Sequence, residues 1–176
     1  MLKMSRSWAM PSKSTFSIKP IRELIDRYMS DGLWVDPFVG ESPFKPSVLS
    51  NDLNPGIDSD YTLECVDFLD TLEDQSCDGV LFDPPYSPRQ ISECYEGIGR
   101  RVHQKDTQSS FYGNRKRLIA SKLKMDGIAI CAAWNSGGLG KCNGMELIEV
   151  LLVPHGGAHN DTIITVERKV KHQPSK

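Results

Sequence analysis

An acid, two prolines and an aromatic residue, Asp83-Pro84-Pro85-Tyr86, end an apolar run that begins at Gly79. Proline fixes φ near about −65° and has no backbone N–H to donate. A segment that only had to turn could use Gly or Asn instead. The stretch therefore predicts a rigid corner that presents one carboxylate, bare carbonyl oxygens and one ring face to a ligand.

Acidic side chains also follow three other short apolar runs: Asp36, Asp52 and Glu64. In parallel α/β sheets the ligand lies at the carboxyl ends of the strands, so these acids predict a binding row for hydroxyls, amines or positive charge. Asp52 closes the second run, where nucleotide-binding enzymes use an acid to hold ribose hydroxyls. The fingerprint G-x-G-x-x-G is absent after the first run, which favours a nucleoside ligand without a pyrophosphate.

The elements that position these acids follow from hydrophobic periodicity. The predicted strands are 33–36, 47–50, 61–63, 79–82, 128–134, 145–153 and 162–168, and the predicted helices are 19–30, 66–69 and 111–124. Strands without clean alternation are buried on both faces, which is typical of a parallel sheet, and the last two strands flank a glycine-rich turn as an antiparallel pair. We expect a doubly wound α/β fold. The connection between residues 50 and 61 is too short for a crossover helix, so it is abbreviated or one of those strands is wrong.

Composition bounds the class of protein. The chain has 176 residues and a net charge of −2, which suits a single domain (1–176) and gives no overall signal of a nucleic-acid binder. It has neither an apolar run long enough to span a bilayer nor a signal-peptide pattern, so we expect a cytoplasmic protein without a membrane partner. The cysteines form no C-x-x-C pair, so we expect reduced thiols and no metal site.

Three motifs carry a resemblance to a known family: D-P-F-x-G at 36–40, N-D-L-N-P at 51–55 and D-P-P-Y at 83–86. They resemble those of the amino-group DNA methyltransferases that use S-adenosylmethionine. The stretch 16–21 (FSIKPI) is similar to that family's N-terminal cofactor motif, and the match runs from about Trp8 to Arg168. The resemblance implies a Rossmann-like class I methyltransferase fold, mostly parallel, with residues 1–15 as an N-terminal segment.

The resemblance also implies site residues. Cofactor contacts would come from Phe16, Lys19, Asp36, Pro37, Phe38, Gly40, Asp52, Leu53 and Glu64, and catalysis from Asp83, Pro84, Pro85 and Tyr86. Two departures from the family pattern bear on cofactor affinity. Glu64 stands where the family usually has an Asp that contacts the cofactor adenine, and Ser42-Pro43 replace a glycine-rich continuation.

The implied chemistry is physically consistent with the motif. The N–H of an exocyclic base amine is far too weak an acid to be deprotonated beforehand by a carboxyl of pKa about 3.9. Instead, Asp83 and the Pro84 carbonyl would each accept one N–H, turning the nitrogen lone pair toward the sulfonium methyl. Fixed acceptors need little reorganisation during reaction. The methylated nitrogen then loses its proton, with Asp83 as the candidate acceptor, while Tyr86 stacks on the base.

A local basic segment predicts the nucleic-acid contacts. Residues 89–124 contain nine Lys or Arg and three acids, a net of +6. The candidate contacts are Arg89, Arg100, Arg101, Lys105, Arg115, Lys116 and Arg117. Residues 87–110 are predicted to form a mobile substrate loop that orders on DNA. The alternative interpretation of the basic residues is that they form the solvent-exposed face of a helix and do not contact nucleic acid.

The resemblance thus implies methyl transfer to adenine N6 in DNA. Few residues remain for target recognition, so we expect low sequence specificity, or specificity supplied by a second subunit or a homodimer. The compact build resembles the solitary methyltransferases of phages and prophages. The alternatives are an RNA or cytosine-N4 methyltransferase, or a catalytically silent nucleic-acid-binding module.

Two other sequence features do not predict a ligand site. Gly137–Lys141 departs from the phosphate-loop pattern, and the setting of His155 and His159 favours a turn over a metal site.

Overall fold

The protein is described by a computed structural model that covers residues 1–85, 89, 96–97, 99, 109–157 and 159–171. Seven strands form one sheet in the order β1-β6-β7-β5-β4-β2-β3. The strands are β1 (Lys3–Arg6), β2 (Trp34–Asp36), β3 (Leu49–Ser50), β4 (Cys77–Phe82), β5 (Leu123–Ala133), β6 (Met145–Val153) and β7 (Thr162–Lys169). The helices discussed below are α1 (Lys19–Tyr28), α2 (Cys65–Asp70) and α3 (Ser109–Lys122).

The sheet is mostly parallel. Strand β2 pairs in parallel with β3 and β4, β4 with β5, and β1 with β6. Strand β7 is antiparallel to both of its neighbours, β5 and β6. The predicted α/β class, with a largely parallel sheet and a C-terminal antiparallel pair, is confirmed.

Two apolar cores cover the two faces of the sheet. On one face, Ile21 and Leu24 of α1 join a cluster with Trp34, Leu81 and Ile130. On the other face, a second cluster combines residues of α2 and α3 with strand residues: Val35, Phe68, Val80, Phe82, Ile119 and Ala129. Successive residues of a strand point to opposite faces, so these strands are apolar throughout because both faces are buried.

Three elements differ from the sequence prediction by more than two residues at one end or in whether they form at all. Residues 61–63 form no strand, and only a single bridge joins Asn51 to Tyr61. Strand β5 begins at Leu123, directly after α3 and five residues before the predicted start at 128, and it contains an irregularity where Asp126 has φ +63°. Strand β1 was not predicted, because its four residues are exposed and show no apolar pattern.

No helix in the described part of the chain has the length and apolar character needed to cross a bilayer.

A buried carboxylate ties β1 and α1 to β6. Glu149 of β6 is 1% exposed, and it accepts hydrogen bonds from Arg27 Nη2 at 2.8 Å and from the Tyr28 hydroxyl at 2.7 Å. Lys3 Nζ of β1 lies 3.4 Å from Glu149 Oε1. Burial acts to raise the pKa of Glu149, but the hydrogen bonds from Tyr28 and Arg27 outweigh it and the net direction is down. Burial and the bond to Glu149 raise the pKa of Tyr28 to about 12.

We expect Glu149→Gln to destabilise the fold by about 2 kcal/mol at pH 7, because an amide cannot accept from both Arg27 and Tyr28. A lowered carboxyl pKa means that the stabilisation is present above the unfolded value of 4.5 and is lost as pH falls through the lower folded value. Urea unfolding should therefore separate the variant from the wild type at pH 7 and much less at pH 3. The control is Glu146→Gln, which lies on β6 like Glu149 and removes an exposed ion pair with Arg168 of β7, and it should change little at either pH.

Candidate functional site

The acids predicted at strand ends converge where the chain reverses its direction through the sheet. Strand β2 lies between β3 and β4, so the chain moves from β2 to one neighbour first and then crosses back to the neighbour on the other side. Such a reversal point forms the ligand crevice of open α/β sheets. Asp36 pairs in register with Ser50, and Val35 pairs with Val80. Asp52 therefore follows β3 by two residues and Asp83 follows β4 at the same edge. Asp36 lies between them on the central strand.

A cavity of about 580 Å³ opens at this edge. Its volume lies in the range of small-molecule sites. Its walls come from the turn before α1, the loops after β2, β3 and β4, the start of α2, and one residue of α3. The predicted site residues that line it are Phe16, Pro37, Phe38, Gly40, Asp52, Leu53, Glu64, Asp83, Pro84, Pro85 and Arg115.

Asp36 lies beneath the cavity rather than in its lining. Its side chain is fully buried, and Oδ1 accepts a hydrogen bond from the Phe38 backbone N–H at 3.0 Å, which holds the loop after β2. Oδ2 is buried and has no hydrogen-bond partner among the described residues. Burial raises the pKa of Asp36 well above its usual value, and the charges of Asp83 and Asp52 add to the rise.

Asp52 connects two loops of the cavity wall. Its Oδ2 accepts from the Gly40 N–H at 2.9 Å and its Oδ1 accepts from the Asn54 N–H at 2.8 Å. Gly40 has φ +47°, a conformation that favours glycine, and no heavy atom lies within 4 Å of where a Cβ would be. The carboxylate is therefore fixed in place. Because each oxygen has a second lone pair, it can also accept hydroxyls of a ligand.

Glu64 and Arg115 form one end of the cavity. Arg115 Nη2 lies 3.8 Å from Glu64 Oε2, and Arg115 is 7% exposed. The guanidinium also reaches the buried Cys65 thiol, whose pKa burial nevertheless raises to about 12. The sequence placed Arg115 among nucleic-acid contacts, whereas the structure places it in the wall of the predicted cofactor cavity.

A second cavity of about 290 Å³ shares Pro84 with the first. Residues of α3 and of the carboxyl end of β5 line it, including Tyr112, Lys116, Trp134 and Asn135. The Tyr112 hydroxyl donates to the Pro85 carbonyl, so α3 supports the proline corner. The sequence did not indicate that Tyr112 and Trp134 lie at the same site as Pro84, because only the tertiary structure brings α3 and the end of β5 together there.

Several predicted residues do not join either cavity. The Lys19 side chain is 81% exposed and lies 3.9 Å from Glu23 on the surface of α1. Arg89 and Arg117 are exposed, and Arg117 donates to Asn114 at 3.0 Å. Tyr86, Arg100, Arg101 and Lys105 lie outside the described residues, as does nearly all of the predicted loop 87–110.

Asn51 belongs to the motif at 51–55 but was given no role of its own, and the structure places it in the lining of the cavity. It is buried, and its amide nitrogen donates to the carbonyls of Pro37 and Leu63 at 3.1 and 3.0 Å. Its amide oxygen accepts from the Leu63 N–H at 3.0 Å. Asn51 thereby joins the loop after β2 to the segment that carries Glu64, in place of the strand predicted at 61–63.

The glycine-rich loop 137–141 holds a protein carboxylate. Glu167 of β7 is 2% exposed and accepts from the N–H groups of Leu139 at 2.5 Å and Gly140 at 2.9 Å. A Cβ at Gly138 would lie 2.3 Å from Glu167 Oε2, so the glycine allows this close approach. His155 likewise contacts protein groups, the Ala9 carbonyl and the Thr162 hydroxyl, each at 2.8 Å.

Comparison with solved structures identifies the fold. A Burkholderia thailandensis 1,6-didemethyltoxoflavin-N1-methyltransferase, solved with 1,6-didemethyltoxoflavin and S-adenosylhomocysteine, matches with a TM-score of 0.56 and 12% identity over 85% of this chain and 76% of its own. TrmN from Thermus thermophilus matches with a TM-score of 0.58 and 16% identity, over 87% of this chain and 49% of its own. The N-methyltransferase NodS from Bradyrhizobium japonicum matches with a TM-score of 0.57 and 8% identity, over 87% of this chain and 96% of its own.

These matches establish a Rossmann-like methyltransferase fold, as predicted. This chain spans about half the length of TrmN. No protein-family model matches the sequence, and no curated protein matches it.

Proposed function

We propose that this protein transfers a methyl group from S-adenosylmethionine to the exocyclic N6 amine of adenine in DNA. The observation that carries the proposal is the shared wall at Pro84. The first cavity and the second cavity meet there, so a donor and an acceptor can approach the Asp83-Pro84 corner from opposite sides. An isolated binding pocket would not need this arrangement.

The first cavity fits the cofactor. Phe16 and Phe38 offer apolar walls, Asp52 offers fixed acceptors for ribose hydroxyls, and Glu64 offers an acceptor for an adenine amine. Asp52 and Glu64 in the lining give this end of the sheet the acidic side chains that a cationic ligand favours. When bound, S-adenosylmethionine supplies an electrophilic methyl group.

The residues of the chain supply positioning and proton transfer. Asp83 and the Pro84 carbonyl accept the two N–H groups of the amine and fix the direction of its lone pair. After transfer the amine is cationic and acidic, and Asp83, which precedes the shared residue Pro84, is the carboxylate that takes the proton. Tyr112 holds the next carbonyl, that of Pro85, so that the corner does not move during the reaction.

The second cavity fits a nucleobase. Trp134, which is 45% exposed, and Tyr112 offer aromatic surface, and base–aromatic stacking contributes about 1–3 kcal/mol per base. Lys116 offers a positive charge beside the cavity for a phosphate. We also propose low sequence specificity, or a partner subunit that supplies it.

The test is incubation of the protein with tritiated S-adenosylmethionine and unmethylated DNA, followed by digestion and nucleoside analysis. We expect label in N6-methyladenine and in many sequence contexts. Label in N4-methylcytosine would show that the acceptor is cytosine rather than adenine. Preferential labelling of single-stranded RNA in a competition with DNA would show that the substrate is RNA. Cofactor binding without label in any substrate would favour a catalytically silent module.

A further inference from the structure

Asp36 occupies an unusual position for a carboxyl group. It is 0% exposed at the end of the central strand, only Oδ1 is hydrogen-bonded, and Oδ2 has no hydrogen-bond partner among the described residues. A buried carboxylate without a compensating positive charge is strongly disfavoured, and such a group takes up a proton instead. Burial therefore favours the neutral form of Asp36 for as long as no positive charge comes close.

The groups that face Asp36 are mainly acidic. Asp52 follows the neighbouring strand β3 and Asp83 follows the neighbouring strand β4, and both charges disfavour ionisation of Asp36. The Cys65 thiol at the start of α2 is within electrostatic range, and its raised pKa keeps it neutral. Arg115 of α3 is the nearby cation, and its guanidinium lies beside Glu64 and Cys65.

We propose that Asp36 ionises when a cationic sulfonium donor binds above it, and that this protonation change makes the site prefer S-adenosylmethionine to S-adenosylhomocysteine. The inference rests on the proposed function. Methyl transfer converts the positive sulfonium into a neutral thioether, while the ammonium, carboxylate, ribose and adenine groups of the ligand stay the same. The two ligands therefore differ by one positive charge, close to three carboxyl groups.

The proton balance of this step is simple. Binding of the cation converts the Asp36 carboxylic acid to a carboxylate, and the proton leaves to the buffer. After methyl transfer the positive charge beside Asp36 is gone, so the carboxylate takes a proton back and the product is held less tightly. Asp36 acts through electrostatics and is a specificity-determining residue, distinct from Asp83, which contacts the acceptor amine.

Isothermal titration calorimetry in buffers of different ionisation enthalpy counts the released protons. Between pH 5 and pH 8 we expect S-adenosylmethionine to release at least about half a proton more than S-adenosylhomocysteine at some pH, as follows from charge-coupled titration. Asp36→Asn, which keeps the acceptor for the Phe38 N–H, should abolish this difference. The preference for the cation is the dissociation constant for S-adenosylhomocysteine divided by that for S-adenosylmethionine. The variant should reduce this ratio by about tenfold, which is the effect expected for one unit charge at roughly 10 Å and an effective dielectric constant of about 20.

The control is Asp58→Asn, which removes a carboxylate whose side chain is 95% exposed, and it should behave as the wild type. Equal proton release by the two ligands at every pH would overturn the inference while leaving the proposed function intact. Failure of both ligands to bind would overturn the inference and the proposed function together. Because the comparison of ligands is made on the wild-type protein, it decides the question even if Asp36→Asn does not fold.

Discussion

Asp83→Ala is expected to reduce methyl transfer by about a thousandfold, the middle of the range for loss of a positioned acid–base group. The alanine removes one acceptor for the amine and the carboxylate nearest to the proton that must leave. The Pro84 and Pro85 backbone, the Asp52 carboxylate and Glu64 remain in the cavity wall. We therefore expect the dissociation constant for S-adenosylhomocysteine, which has no sulfonium charge to interact with Asp83, to change by less than about threefold, an effect below about 0.7 kcal/mol.

Single-turnover assays and calorimetry on the same preparation measure these two quantities. Asp67→Ala, which removes an exposed acid on the outer surface of α2, is the matched control and should leave both unchanged. A parallel loss of transfer and of cofactor binding in Asp83→Ala would show that Asp83 belongs to the cofactor contacts and that the acceptor site lies elsewhere.

Gly79→Ala is expected to destabilise the protein by about 3 kcal/mol, at the upper end of the cost of overpacking a core. Gly79 of β4 lies level with Trp34 of β2, and a Cβ at position 79 would lie 2.3–2.4 Å from three atoms of the indole ring. Trp34 is 1% exposed, so the ring has no free space into which to move. The strain would fall on the strand pair that carries Asp36 and Asp83.

Urea unfolding measures this effect, with Gly113→Ala as the control. Gly113 lies on the exposed side of α3, and no heavy atom lies within 4 Å of a Cβ there. The helix preference of alanine over glycine should make that variant about 0.5–1 kcal/mol more stable. Trp34→Phe combined with Gly79→Ala should cost less than the sum of the two single changes, because a smaller ring relieves the clash. Additive costs would show that the ring is not the source of the strain.

The acids at positions 36, 52, 64 and 83 could be found from the sequence because each follows an apolar run. In a parallel sheet the ends of such runs lie on one edge, so spacing alone predicted that the four would meet. Trp34 is buried because its strand is apolar on both sides, which is typical of a strand covered on both faces of a parallel sheet. Phe16 was predicted as a cofactor contact from the resemblance, and it lines the first cavity.

Other features could not be predicted because they depend on contacts between distant segments. The predicted strand at 61–63 is replaced by the side chain of Asn51, and a side-chain brace leaves no periodic pattern in the sequence. Strand β1 was missed because an exposed edge strand has no apolar alternation. Arg115 and Lys116 are adjacent in the sequence, yet they line different cavities.

The sequence by itself determined the alternation of elements, the mostly parallel sheet and the chemical types gathered at its carboxyl edge, because these depend on local periodicity and on the residues that end each strand. Only the tertiary structure decided that Asp36 lies beneath the cavity while Asp52 and Asp83 line it, and that Pro84 stands between two cavities. Burial and the electrostatic environment of a carboxyl group arise from the surrounding segments of the chain, and a linear sequence does not contain those distances.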